Sequence, residues 1–404
     1  MSKVFITAAK RTAVGSFMGT LKNVPAADLG AAVIKQVLLD SKVDGAQLDE
    51  VIMGNVLSAG AGQGVARQAS IKAGVPVEVP AYGVNMVCGS GMKSVMNAYA
   101  SINAGLSKVI VAGGTESMSN APYLVPASTR SGVKMGNMTM VDHMINDGLW
   151  DSFNNYHMGI TAENIAAKHD ISREAQDEFA YGSQRKAIEA QDAGLFDAEI
   201  VPVEVKMRKE TVVFDKDEYL NRKTTPEILT KLRTAFKKDG TVTAGNASGL
   251  NDSASAVLVA SEEFVKENNI DPLVEIVGVG QGGVDPSVMG LGPVPAIRAA
   301  LKNADMTLDQ IDVLELNEAF AAQSLGVVTE LVEEHGVDRD ELIAKTNIHG
   351  GAISIGHPIG ASGNRIMVTL INIMKQNNYK YGLASLCIGG GMGTCVILKN
   401  VDAE

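Results

Sequence analysis

The chain has 404 residues, 46% of them apolar and 20% charged, and 46 acidic against 35 basic side chains give a formal net charge of −11. That length exceeds what one hydrophobic core fills, so two or more packed units are expected. The acidic balance speaks against nucleic acid and anionic membrane as partners. Three cysteines are too few for a disulfide framework and suit a reducing compartment, so a cytoplasmic location is expected. The opening Met1-Ser2-Lys3-Val4-Phe5-Ile6-Thr7 shows no export or transit signal, and no apolar run reaches the roughly 20 residues that cross a bilayer. The 42 glycines are scattered among apolar segments, the pattern of tight turns and close backbone packing.

In chain order, β-rich runs at 4–8, 51–56, 82–87 and 109–112 alternate with helical patterns at 28–42, 64–73 and 92–104. This alternation predicts an α/β fold with parallel pairing and right-handed crossovers. It resumes after about residue 250, and the second half repeats the first. Segment 48–55 resembles 311–317, Gly89-Ser90-Gly91 resembles Ala361-Ser362-Gly363, and 109–114 resembles 383–390, in the same order. Residues 117–246 break the pattern and read as an insertion with its own helices, one over 173–191 with Ser172 as N-cap. Within it, residues 206–238 carry ten Lys or Arg against five acids. Such an island is either a solvated face or a docking site for phosphates.

Three positions carry chemistry. Cys88, in Asn85-Met86-Val87-Cys88-Gly89-Ser90-Gly91, ends a strand-like run before a helix, where free N–H groups and the helix dipole would lower a thiol pKa. His357 is locked between Gly356 and Pro358 at another helix entrance, placed to take a proton from a thiol. Cys387 opens the glycine turn Cys387-Ile388-Gly389-Gly390-Gly391. A nucleophilic thiol, a base, a second thiol and free backbone N–H groups are the parts of acyl transfer through a thioester. Cys395, inside a strand pattern, reads as inert core. No Cys-x-x-Cys, His-Glu-x-x-His, dinucleotide fingerprint or phosphate loop occurs, so no metal and no cofactor are expected. Asn317, in Asn317-Glu318-Ala319-Phe320, either caps a helix or offers an amide to an oxyanion.

Together these segments resemble the thiolase family, from Lys3 to Lys399, closest to its short-chain acetyl-CoA acetyltransferase type. The resemblance implies the thiolase fold: two topologically similar α/β halves forming a five-layered core with an inserted loop domain. The halves would be 1–116 plus 247–270 and 271–404, with the loop domain at 117–246. It implies reversible Claisen condensation of two acetyl-CoA to acetoacetyl-CoA and CoA. Cys88 would be the acylated nucleophile, His357 its activator, and Cys387 the acid/base at the substrate methyl carbon. His357 and a water held by Asn317 would stabilise the enolate, and the N–H groups of Cys88 and Gly389 the tetrahedral intermediate.

The coenzyme A groove would comprise Leu149, His157, Met158, Arg222, Phe236, Ala244, Ser248, Met289 and Phe320, with Arg222 linking it to the basic island. Acetyl-CoA, acetoacetyl-CoA and CoA are substrates in this scheme. Segment 122–142 would join dimers into a homotetramer. His349 stands where short-chain members have Asn, and Met158 keeps their bulky residue beside the acyl group. The alternatives are a degradative 3-ketoacyl-CoA thiolase of broader chain length and a non-catalytic acyl-CoA binding protein.

Overall fold

The computed structural model describes residues 3–403. The first half runs β1 (Val4–Thr12), α1 (Ala26–Ser41), β2 (Glu50–Gly54), α2 (Val65–Lys72), β3 (Ala81–Val84), α3 (Ser90–Asn103) and β4 (Val109–Ser117). The strand expected over 82–87 stops at Val84, and Val87 takes a left-handed φ of 45°. A β-branched residue holds that conformation only where its surroundings enforce it. The insertion contains α4 (Met158–Lys168), α5 (Arg173–Asp192) and a hairpin of β5 (Val203–Lys206) and β6 (Thr211–Phe214). The Ser172 hydroxyl accepts from the Ala175 N–H at 3.2 Å and caps α5. The chain returns with β7 (Asn251–Ser261) and then builds β8 (Val274–Gly283), α6 (Pro293–Ala304), β9 (Val313–Leu316), α7 (Ala321–His335), α8 (Ile359–Asn377), β10 (Tyr381–Ile388) and β11 (Met392–Asn400).

The long strands form one sheet in the order β9-β10-β11-β8-β1-β7-β4-β2-β3. A short antiparallel contact of β1 with β8, Phe5 opposite Glu275 and Ile6 opposite Val274, joins its two parts. Each part has the same pairing. β1–β7 and β7–β4 are antiparallel and β4–β2 parallel, as β8–β11 and β11–β10 are antiparallel and β10–β9 parallel. The repeat in the sequence is therefore a repeat of topology.

Strand alternation builds the layers. Val109 and Val111 face α1 through Leu29, Val33, Ile34 and Val37. Their neighbours Ile110 and Ala112 face inward, onto Met92 and Val95 of α3 and Ile366 and Leu370 of α8. On the other side of those helices lie Ile276, Leu386, Val396 and Leu398, while Cys395 and Ile397 point outward to Ile297 and Leu301 of α6 and Val327 and Leu331 of α7. Both faces of each sheet part are thus buried, giving five layers, α–β–α–β–α. Each fully buried Leu, Ile or Val contributes about 1.5–3 kcal/mol.

The middle layer positions the site. A Cβ at Gly91 would lie 2.9 Å from the Asn364 nitrogen, and one at Gly363 would lie 2.6 Å from the Met92 nitrogen, so the paired glycines let α3 and α8 meet at their first turns. The residues just before those turns, Cys88 and His357, are thereby brought to one end of the core.

Candidate active site

The Cys88 turn is built from its own side chains. Ser90 Oγ donates to the Val87 carbonyl at 2.6 Å and accepts from the Met86 N–H, while Asn85 Oδ1 accepts from the Val87 N–H. A Cβ at Gly89 would strike Ile388 Cδ1 at 2.3 Å, so glycine there admits the Ile388-Gly389 turn. The N–H groups of Gly389 and of Cys88 itself lie near the Cys88 sulfur. These donors favour the thiolate, yet burial outweighs them, with the nearby Glu116 carboxylate adding to it, and the thiol is pushed up to about 11. The depressed thiol expected from a helix entrance alone is corrected accordingly, because the sequence shows the donors and not the desolvation.

His357 precedes α8 and is buried. Asn251 Oδ1 accepts from its backbone N–H at 2.8 Å. Its Nδ1 lies 2.6 Å from Ser362 Oγ, and that hydroxyl is 3.0 Å from the Pro358 carbonyl. A carbonyl only accepts, so the Ser362 proton goes to Pro358 and Ser362 Oγ accepts from Nδ1–H. The basic lone pair is then on Nε2, which has no protein partner among the described residues. Burial, and after it the Arg365 guanidinium, holds the imidazole down to about 3, so it is neutral near pH 7.

Cys387 is the penultimate residue of β10, fully buried, and near enough to Cys88 for their charges to oppose each other. Burial drives its thiol far above the ordinary range. Asn317 follows β9, and its backbone N–H donates to Ser385 on the Cys387 strand at 3.0 Å. Both polar atoms of its side-chain amide are buried without a protein partner among the described residues. Helix capping is not its role, since α7 begins at Ala321 with Phe320 at the N-cap.

Cys88, His357 and Gly389 line one cavity of about 390 Å³, and so do Leu149, His157, Met158, Phe236, Ala244, Ser248, Met289 and Phe320. Cys387 packs behind this wall against Met158, Met289 and Phe320. His157 stacks on Phe236 with ring centroids 4.5 Å apart, and Phe236 meets Phe320 edge-on at 6.1 Å. The wall is thus mainly apolar and aromatic with polar groups at its floor, the pattern of a small-molecule site. A second cavity of about 410 Å³, between α5 and the second half, contains none of Cys88, His357 or Cys387.

Arg222 is not part of the wall. Its guanidinium is exposed and makes a two-pronged pair with Asp192 at 2.6 and 2.9 Å. The other nine Lys and Arg of the basic island are exposed too, although Tyr219, Ala235 and Phe236 within the same segment line the cavity. His349 is also outside the wall, with its ring edge-on to Phe196. Met118, Met144, Ile145, Gly148, Leu250 and Ile359 do line it and were not singled out in the sequence. The signal available for three of them was the abundance of Met and Leu in and beside the insertion, which does not distinguish a cavity wall from core. Among the described residues, no three His, Cys, Asp or Glu side chains converge as metal ligands, and no helix is long and apolar enough to cross a membrane.

A half-buried thiol and a neutral imidazole with a fixed tautomer on one apolar cavity, with backbone N–H groups beside the sulfur and a second thiol behind the wall, define the apparatus of an acyl-transferring α/β enzyme. Residues 4–263 match the family model "Thiolase, N-terminal domain" and residues 270–400 match "Thiolase, C-terminal domain". An acetyl-CoA acetyltransferase of Cupriavidus necator is 54% identical over 400 residues, covering 99% of this chain and 100% of that protein. Among solved structures, the Bacillus anthracis acetyl-CoA acetyltransferase superposes with a TM-score of 0.95 at 42% identity, covering 99% of both chains. Human mitochondrial 3-ketoacyl-CoA thiolase in complex with CoA superposes with a TM-score of 0.93 at 45% identity, covering 99% of this chain and 98% of that one. The chain belongs to the thiolase family.

Proposed function

We propose that this thiolase is an acetyl-CoA C-acetyltransferase, joining two acetyl-CoA to acetoacetyl-CoA and CoA through an acetyl-Cys88 intermediate, and that it also runs the reverse thiolysis. The observation that carries this reading is the convergence of Cys88, His357 and Gly389 on one apolar cavity, with Cys387 against Cys88.

Nε2 of His357 takes the Cys88 proton as the sulfur attacks the first acetyl-CoA. The N–H groups of Cys88 and Gly389 receive the developing oxyanion, and loss of one such donor typically costs about 100- to 1000-fold in rate. Cys387 gives its proton to the departing CoA sulfur. The resulting thiolate, opposed by the imidazolium, then removes a proton from the methyl carbon of the second acetyl-CoA. Nε2–H of His357, with a water on the Asn317 amide, holds the enolate oxygen. The enolate carbon attacks the acetyl group, the C–S bond to Cys88 breaks, and Cys88 regains its proton from His357. A thiol driven far up by burial is a weak acid but, once ionised, a strong base, which suits abstraction from carbon.

In this reading residues 117–246 are the loop domain that supplies most of the coenzyme A wall, set between halves 1–116 plus 247–270 and 271–404. No cofactor takes part, CoA thioesters being substrates, and the compartment is cytoplasmic. The chain assembles as a homotetramer, a dimer of dimers, through segment 122–142. What supports the last point is its run of exposed apolar side chains, among them Tyr123, Val125, Met138 and Met140, and Met135 at 95% exposure.

Chain length is tested by thiolysis of acetoacetyl-CoA beside 3-ketohexanoyl-CoA and 3-ketooctanoyl-CoA. With Met158, Met289 and Phe320 packed around Cys387, a strong preference for the four-carbon substrate is expected. Equal or faster turnover of the longer chains would make the protein a 3-ketoacyl-CoA thiolase of broad range, and no turnover of any would make it a binding protein.

A further inference from the structure

Glu116, the penultimate residue of β4, is fully buried, with no cation on its carboxylate among the described residues. Its oxygens accept four N–H donors. Oε2 takes Val56 N at 3.1 Å and Gly360 N at 2.9 Å, and Oε1 takes Leu57 N at 3.1 Å and Asn55 Nδ2 at 2.9 Å. Three of these donors follow β2 in the first half. The fourth opens α8 in the second, three residues after His357, where the first N–H groups of a helix have no partner within it. Glycines make the approach possible, since a Cβ at Gly360 would stand 2.5 Å from Glu116 Oε2 and one at Gly114 would stand 2.1 Å from the Gly360 carbonyl.

From this geometry we infer that Glu116 is a positioning residue, clipping the His357 turn of the second half to the Cys88 half and so setting the approach of imidazole to thiol. Its charge opposes thiolate formation at Cys88, so its contribution to the reaction is geometric rather than electrostatic. The inference rests on the acyl-transfer reading of Cys88 and His357.

The clip also has a pH dependence. All four contacts are donors, so a proton on the carboxyl displaces one of them. Burial, with Asp252 on β7 adding to it, raises the carboxyl to about 7 against the three backbone N–H groups that lower it. The titratable groups acting on it are Asp252 and, from the turn before α3, Cys88, while its remaining faces are backbone amides and Asn55. As pH falls through about 7 the carboxyl takes a proton and the clip loosens.

The test is the thiolysis rate of acetoacetyl-CoA from pH 5.5 to 9 in wild type, E116A and E116Q, with circular dichroism to verify folding. Misplacing a reacting group by about 1 Å costs on the order of 100-fold. E116A is expected to lose about that factor in kcat, with the KM for CoA within about threefold because Glu116 does not itself line the cavity. E116Q is expected to recover kcat to within about tenfold, its amide oxygen keeping the Val56 and Gly360 donors while its NH2 displaces those of Leu57 and Asn55, as a proton on Glu116 would. It is also expected to lose the acid limb near pH 7 that the inference predicts for wild type. If E116A does not fold, the E116Q profile decides. Wild-type kcat in folded E116A, or an unchanged acid limb in E116Q, would overturn the inference. Loss of all turnover in wild type would instead refute the acyl-transfer reading beneath it.

Discussion

Ser362 decides which nitrogen of His357 is basic, through two hydrogen bonds that the linear motif Gly356-His357-Pro358 does not show. Replacing it with alanine leaves the fold and the cavity wall in place but frees the imidazole to exchange tautomers. Groups that orient a functional histidine are typically worth 10- to 100-fold. S362A is therefore expected to lose about that much kcat in thiolysis while KM for CoA stays within about threefold, and unchanged kcat would remove Ser362 from the account. At this scale the sequence shows which residue types stand at glycine turns and helix entrances, which is why Cys88, His357 and Cys387 could be singled out. It does not show desolvation, and so the thiol of Cys88 lies above its usual range rather than below it. Nor does it show side-chain pairing, which turns Arg222 toward Asp192 and away from the cavity.

The central helices depend on glycine where backbones touch. Gly114 on β4 is the extreme case, because an added Cβ would sit 2.1 Å from the Gly360 carbonyl and 2.9 Å from Ala361 Cα, with only backbone to give way. G114A should therefore lower stability by more than the ~1–3 kcal/mol of ordinary overpacking and displace the α8 entrance that bears His357. Thermal unfolding reads the first effect and thiolysis the second, and a variant with wild-type Tm and rate would show that the contact yields. Elements were legible wherever period and cap agreed, as for α5 behind Ser172. The strand expected over 82–87 ran past its end because Val84, Met86 and Val87 keep a β-type composition, while the Asn85 and Ser90 side chains of the Cys88 turn bond both sides of Val87, which sits at φ 45°. The three segment pairs that suggested a repeat lie on β2 and β9, on the entrances of α3 and α8, and on β4 and β10, which are equivalent places in the two halves.

As a whole molecule the chain is two copies of one strand–helix plan sharing a middle layer, so the groups proposed as catalytic come from both copies and each half alone would lack part of the proposed site. Cys88 belongs to the first, His357, Asn317 and Cys387 to the second, and half of the residues lining the cavity come from the insertion. Exposed methionines on segment 122–142 are expected to hold dimers together, so M135D combined with M138D should convert a tetramer to a dimer in light scattering with thiolysis retained. A wild-type chain that runs as a dimer would contradict that assembly. The central claim is that both substrates meet through a thioester on Cys88, and it is tested most directly by incubating the protein with acetyl-CoA alone, quenching in acid and locating the acetyl group by peptide mass. The account predicts one acetyl group, on the peptide containing Cys88, discharged by added CoA and missing in C88A. An acetyl group on another residue, or turnover of acetoacetyl-CoA by C88A, would contradict it.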